Sequence, residues 1–269
     1  MTSTVPGAVA GGRLRLPAGR RSGAGYWLAC LRVMLRFDLG RARSWAPMMV
    51  LIQILMGAGM AVMYGFFYPR ITPAVALYIS TGTPTLALVP LGFVLIPGIV
   101  GQDKTEGTYD FVWSLPVPRS AQAVSTFVLY TLLCLPGTVL ALVVATWRYG
   151  LHLTVSPQLI PAVLVSALVA VSVGFGMALM IPDPSIANLI ANTLIFVVLL
   201  FSPIVFPPAN LPGWLFAVDR VLPFYNMAEV IRAGLTTGLV TDLVPCYLTL
   251  LGWLAAGWLM TTWVLGRRR

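Results

Sequence analysis

The three cysteines, Cys30, Cys134 and Cys246, stand more than a hundred residues apart, and the sole histidine is His152. No CxxC, HxxxH or other metal-ligand spacing exists, so disulfide scaffolds and zinc sites are excluded. No nucleophile has a matching histidine, aspartate or metal partner, which disfavours an intramembrane enzyme. The one lysine, Lys104, follows Asp103. A phosphate-binding loop needs glycine before its lysine so that successive backbone N–H groups cradle phosphate, and the chain is therefore not expected to hydrolyse ATP. Asp183 sits in the turn Pro182-Asp183-Pro184, where it reads as a solvated turn residue rather than a proton carrier. The chemistry open to these residues is binding and movement, not bond making.

The elements that would position them are apolar. Of 269 residues, 58% are hydrophobic and 9% charged, and the formal net charge is +9; a soluble domain carries roughly 25% charged residues. Soluble enzymes, disordered chains and nucleic-acid binders need more polar surface, so the expectation is an integral membrane protein without a nucleic-acid partner. A helix crosses a bilayer with about 20 mostly apolar residues, because backbone groups in hydrocarbon must be satisfied internally. Six stretches qualify, at 47 to 68, 76 to 101, 121 to 146, 158 to 181, 186 to 206 and 243 to 265. They are continuous rather than alternating, which disfavours a barrel. The expected fold is all-α, a bundle of six transmembrane helices.

Arginine and lysine are retained on the cytoplasmic side during insertion. Thirteen fall on the side of the N-terminus, the loop between spans two and three, and the C-terminus, against four (Arg70, Arg148, Arg220 and Arg232) on the other. Both termini are expected in the cytoplasm, residues 1–25 as a disordered tail. Residues 26–45 place Leu28, Leu31, Leu35 and Leu39 at helical spacing beside Arg32, Arg36 and Arg43. This pattern predicts an amphipathic helix in the membrane interface, serving as a lipid anchor or as a dock for a cytoplasmic partner.

The loop 102–119 predicts a short helix with Thr108 as N-cap, Asp110 in its first turn and Pro116 as its stop. Its Tyr109, Phe111, Val112 and Trp113 suit an apolar contact with another protein, or folding back onto the headgroups. Between 203 and 240, Pro207, Pro208, Pro212 and Pro223 divide the chain into two amphipathic pieces. Glu229 and Arg232 are spaced for a local ion pair in the second, and the lengths suit re-entrant or interfacial helices on the external side.

In this order the segments resemble the membrane subunit of a type-2 ABC exporter, the permease class that includes bacterial drug and polysaccharide exporters. The likeness covers about residues 26 to 265. It rests on the interface helix, six spans, the loop motif Asp103, Lys104, Glu106, Gly107, Thr108, Asp110, Pro116, Val117 and Arg119, and the external motif Ser202-Pro203, Pro207, Leu211-Pro212, Trp214, Leu222-Pro223 and Glu229-x-x-Arg232. Pro118 departs from the small hydroxyl residue commoner in the family.

The resemblance implies a multi-pass permease of the bacterial inner membrane, paired with a second copy or a homologous permease and embedded in the lipid bilayer. ATP and Mg would be bound by separate ABC ATPase subunits, and no cofactor by this chain. Those subunits would dock on the interface helix and on a coupling helix around Asp103, Lys104, Glu106, Gly107, Thr108, Tyr109, Asp110, Phe111, Val112 and Trp113. Candidate pathway-lining residues are Gln53, Thr81, Thr85, Asn188 and Asn192. Asn188 fits lining and packing equally, while Asn192 is expected to pack between helices. Pro84, Pro90 and Pro97 should bend span two, and Gly252 with Ala256 should allow a close contact in span six. An apolar interior without a basic cluster suits drug-like or lipid cargo, with lipid-linked glycans second. An ion-coupled secondary transporter is disfavoured because no full charge lies within a span and no inverted repeat is evident.

Overall fold

The computed structural model describes residues 23–67, 72–151, 153–240 and 242–267. Among the described residues all regular structure is helical, and six helices are long and apolar enough to cross a membrane. The expected tail at 1–25 lies outside the described residues except for its last three, as do His152, Arg70, Arg268 and Arg269.

Helix α1 spans Ala24–Ala42 and α2 Ala46–Phe67. The second crossing is a single path of three pieces, α3 (Pro73–Pro90), a π-helical turn (Leu91–Leu95) and α4 (Ile96–Thr105). After α5 (Thr108–Ser114) come the spans α6 (Arg119–Tyr149), α7 (Leu159–Met180) and α8 (Pro184–Phe201). Two short helices, α9 (Gly213–Val221) and α10 (Pro223–Leu235), precede the last span α11 (Leu243–Arg267).

The helix starts follow from local chemistry. Thr72 caps α3 by accepting the Val75 N–H, with Pro73 in the first turn, where its missing N–H costs nothing. Asp183 caps α8 by accepting the N–H groups of Ser185 at 2.7 Å and Ile186 at 3.4 Å, so the turn residue expected from Pro-Asp-Pro has a defined structural task. Pro118 is the N-cap of α6 and offers no side-chain acceptor.

Prolines also account for the interruption of regular helix in span two. Pro90 cannot donate into the helical ladder, and the π-helical turn begins at the next residue. That turn meets α7 where a Cβ at Gly174 would overlap the Gly92 carbonyl, so only glycine allows the two backbones to approach this closely.

The second crossing, α3 through α4, is the most buried and α7 the next, whereas α2, α8 and α11 present most of their surface outward. The core is continuous from Leu86, Leu88, Leu91 and Phe93 of span two to Val169, Val171 and Phe175 of α7 and Met227, Ile231 and Leu235 of α10. The close contact in span six is displaced from its expected place. Gly252 has open space around it, while a Cβ at Gly257 would collide with Ser172 of α7. Both glycines suit a close crossing; helix rotation turns Gly257 inward.

Candidate coupling end and buried polar cluster

At one end of the bundle, α1 lies against α6 and buries Met34 and Ala42, leaving Leu28 and Leu39 exposed. Its face is therefore used partly for packing on the protein. Asp38 accepts a hydrogen bond from the Ser125 hydroxyl of α6 at 2.6 Å. Arg41 donates from one nitrogen to both carboxylate oxygens of Asp103 at 2.7 Å, fastening α1 to the end of α4. Farther along, the Tyr26 hydroxyl donates to the Pro116 carbonyl at 2.7 Å and the Trp27 indole N–H to Ser120 at 2.9 Å. These contacts tie α1 to both sides of α5. Arg32, Arg36 and Arg43 are exposed.

Burial pushes the Asp38 carboxyl above its ordinary value, with Ser125 and Arg41 pulling it down and Asp103 pushing it up.

Helix α5 begins differently from its expected form. Gly107, with φ 75°, is the N-cap, and Thr108 is the first helical residue. The left-handed glycine ends α4 and redirects the chain in one step, which a residue with a Cβ does only under strain. Phe111 is 57% exposed, Val112 is buried, and Glu106 is exposed with an acceptor bond from Gln102 at 2.7 Å. The side chains of Tyr109, Asp110 and Trp113 lie outside the described residues.

Two of the loop's charges point inward. Asp103 holds Arg41, and Lys104 Nζ donates to the carbonyls of Ala178 at 2.6 Å and Ile181 at 3.1 Å, at the carboxyl end of α7. A cation there completes the unsatisfied carbonyls of a helix end. Gly98 and Lys104 have the outer spacing of a phosphate loop, but the segment is helical, Asp103 occupies the second glycine position and Lys104 is committed to α7. No nest of N–H groups is available for phosphate.

The candidate pathway residues are divided. Gln53 is buried and donates to the Leu133 carbonyl at 3.0 Å beside Gly137, leaving its own carbonyl oxygen without a partner. Ser80, Thr81, Thr83 and Thr85 are all buried within the protomer; Thr81 and Thr83 bond back to the carbonyls of Leu77 and Ile79, and the hydroxyls of Ser80 and Thr85 lack partners. Asn188 is half-buried beside Gly98 of α4. Asn192 is exposed on α8 and bonds only to the Asn188 carbonyl of its own helix at 2.8 Å, so within this chain it does not pack between helices as expected. The polar groups of α3 face the protomer core, whereas on α8 Asn188 stands against α4 and Asn192 faces outward.

At the opposite end, α10 sits among α3, α7 and α11 with nearly every side chain buried. Its arginine is 0% exposed. Arg232 Nε donates to the Thr81 hydroxyl at 3.1 Å, Nη2 to the Ile204 carbonyl at 2.7 Å and Nη1 to Glu229, while the guanidinium stands 4.3 Å over the Tyr78 ring. The spacing of Glu229 and Arg232 gave the ion pair; the burial and the links to α3 were not expected. Met227, Val230, Ile231 and Leu235 share one helical face, the pattern of an amphipathic helix, so no local signal marked Arg232 on the other side as buried. Asn226 donates to the carbonyls of Arg220 and Leu222, and the Trp253 indole of α11 to that of Val221, so α9 is held to both neighbours.

Residues 48–236, from α2 through α10, match the family model described as ABC-2 type transporter. The chain belongs to that family. A search among curated proteins finds no match. Membership makes this ABC-2 chain a membrane-spanning transport component and implies an ABC ATPase as its partner. Helix α1 lies ahead of the matched segment and all of α11 beyond it.

Proposed function

We propose that the chain is the permease of an ATP-driven exporter in the bacterial inner membrane, moving a hydrophobic or amphipathic cargo from the cytoplasm or inner leaflet. Two permeases, identical or homologous, would enclose the path, and two ATPase subunits carrying ATP and Mg would bind at the α1 and α5 end. The observation that carries this reading is α5 itself: it presents Phe111 outward while Tyr26 and Trp27 clamp the chain that follows it. A force on Phe111 would reach α1 through those bonds, α4 through the chain and α7 through Lys104.

Placing that end in the cytoplasm is supported by its charge. Arg32, Arg36, Arg43, Lys104 and Arg119 cluster there, as the retention of basic residues requires. The drug-like or lipid cargo is supported by spans whose exposed residues are overwhelmingly apolar, among them Phe66, Val139, Leu189, Phe196 and Leu248. Export direction follows the family resemblance.

The test is cargo-stimulated ATPase activity of the assembled complex in proteoliposomes. Phe111→Ala and Glu106→Ala should leave membrane insertion and subunit assembly intact and lower that activity at least several-fold. Unchanged activity would remove the coupling role. ATP-dependent uptake into inside-out vesicles of externally supplied amphipathic dyes, lipids and lipid-linked glycans would decide the cargo; preferential uptake of glycans would overturn the drug or lipid assignment.

A further inference from the structure

Helix α8 ends at Phe201 and α9 begins at Gly213. Between them lies a groove of about 190 Å³ lined by Val197, Phe201, Trp214, Leu215, Val218 and Phe224. Its walls are almost wholly apolar and it is open to the surroundings: Trp214 is 72% exposed, and Phe201, Val197 and Val218 are also outward. At its base are two polar side chains, Asp219, 4% exposed, and Ser202, 3% exposed. Asp219 Oδ2 and Ser202 Oγ each lack a hydrogen-bond partner.

A helix needing only to rest on apolar neighbours would carry leucine or alanine at this position. A carboxylate removed from water with an oxygen unpaired is costly unless a cation or donor meets it. Neither the Arg41–Asp103 pair nor the Glu229–Arg232 pair involves it. The adjacent Arg220 lines a different cavity, with Tyr78 and Asp242. Burial raises the carboxyl above its ordinary value, while Ser202 nearby lowers it. The apolar walls and the unpartnered carboxylate are independent features of one groove.

We propose that this groove binds a lipophilic monovalent amine, its apolar body between Phe201 and Trp214 and its ammonium donating to Asp219 Oδ2 and Ser202 Oγ. An anion would meet the carboxylate with no countercharge, and a neutral apolar molecule would leave the oxygen unpaired. The volume suits a single aromatic ring with a short chain. The open side lets such a molecule arrive laterally from the apolar phase. This names a cargo class within the export reading above and rests on it for any role in transport, but binding itself needs neither ATP nor the ATPase.

The test is equilibrium binding of radiolabelled 4-phenylbutylamine and of its neutral analogue 4-phenylbutan-1-ol to the purified full chain in phosphatidylcholine nanodiscs, with empty nanodiscs subtracted. The amine should bind at least tenfold tighter than the alcohol. Asp219→Asn, close in shape, should remove that preference and leave alcohol binding unchanged; Asp219→Glu should retain part of it, and Trp214→Ala should weaken both ligands. Equal binding of amine and alcohol by the natural chain, absence of amine binding, or an undiminished preference in Asp219→Asn would overturn the site. Amine binding that persists without ATP-driven amine movement in the assembled complex would count against the export reading and leave the site standing.

Discussion

Replacing Arg232 with methionine tests whether the α10 end is held by electrostatics or by apolar packing alone. The guanidinium is fully buried and reaches Glu229, Thr81, the Ile204 carbonyl and the Tyr78 ring. Removing it strands the Glu229 carboxylate in a site where that residue is itself 7% exposed. Breaking a buried pair from one side costs about 3–5 kcal/mol, whereas an exposed pair would cost less than about 1 kcal/mol. Thr81 keeps its bond to Leu77, so it adds little. The Ile204 carbonyl loses its donor, which costs about 1–3 kcal/mol. The double change Glu229→Gln with Arg232→Met removes both charges and should retain mainly that carbonyl loss. The single replacement should therefore destabilise by about 3–5 kcal/mol, and the double cycle should show coupling of about 2 kcal/mol, within the range for residues in one network. The assay is equilibrium unfolding of the purified chain in mixed micelles with increasing dodecyl sulfate, followed by circular dichroism. A loss below about 1 kcal/mol for Arg232→Met, the surface-pair range, or strictly additive effects, would refute the view that this cluster anchors α10.

Asp38→Asn should change how stability depends on pH. Burial makes the folded state bind the Asp38 proton more tightly than the unfolded chain does, so this group's contribution is complete below about pH 3.9, the ordinary carboxylate value, and is lost as pH rises through its raised value. Unfolding curves across that window should show the asparagine variant gaining on the natural chain as pH increases; parallel profiles would sink the assignment. Gly257→Leu should separate α11 from α7, because even a Cβ there meets the Ser172 side chain and backbone, whereas Gly252→Leu, in open space, should leave the unfolding midpoint almost unchanged. Overpacking of this kind costs about 1–3 kcal/mol, and a reversed order of the two midpoints would contradict the helix rotation described.

The crossings were legible because each satisfies a length and polarity threshold that no other use of the chain demands; α7, expected at 158 to 181, runs from Leu159 to Met180. Proline spacing led to an expected bend in span two; what the structure shows there is a π-helical turn, beside a close approach of Gly174 of α7 to Gly92 that no local pattern records. The loop motif drew attention to Asp103 and Lys104 as contacts for a partner. Their inward engagement with Arg41 and the end of α7 joins residues 62 and 74 positions apart, which no local pattern records. Asp219 passed unnoticed for a related reason. A single aspartate near the end of an amphipathic helix reads as solvated until the neighbouring span is seen to cover it.

The two ends of the molecule are joined by one path. Thr81 near the middle of α3 receives Arg232 from α10, and Asp103 near the end of α4 receives Arg41 from α1. These anchors belong to a single helical crossing of 33 residues, about 50 Å long at 1.5 Å per residue, well beyond the roughly 30 Å hydrocarbon thickness. Part of it therefore stands outside the bilayer. Between the anchors, regular hydrogen bonding is interrupted at Leu91–Leu95, where a π-helical turn gives the backbone an alternative register. On the way from α4 to Thr81 the backbone also lacks the N–H groups of Pro97, Pro90 and Pro84. Gly92, which approaches Gly174 of α7 so closely, falls within that interrupted stretch, so a tight backbone contact and a break in regular hydrogen bonding coincide there; movement passed from α5 to α10, as the proposed coupling requires, would have to cross this point.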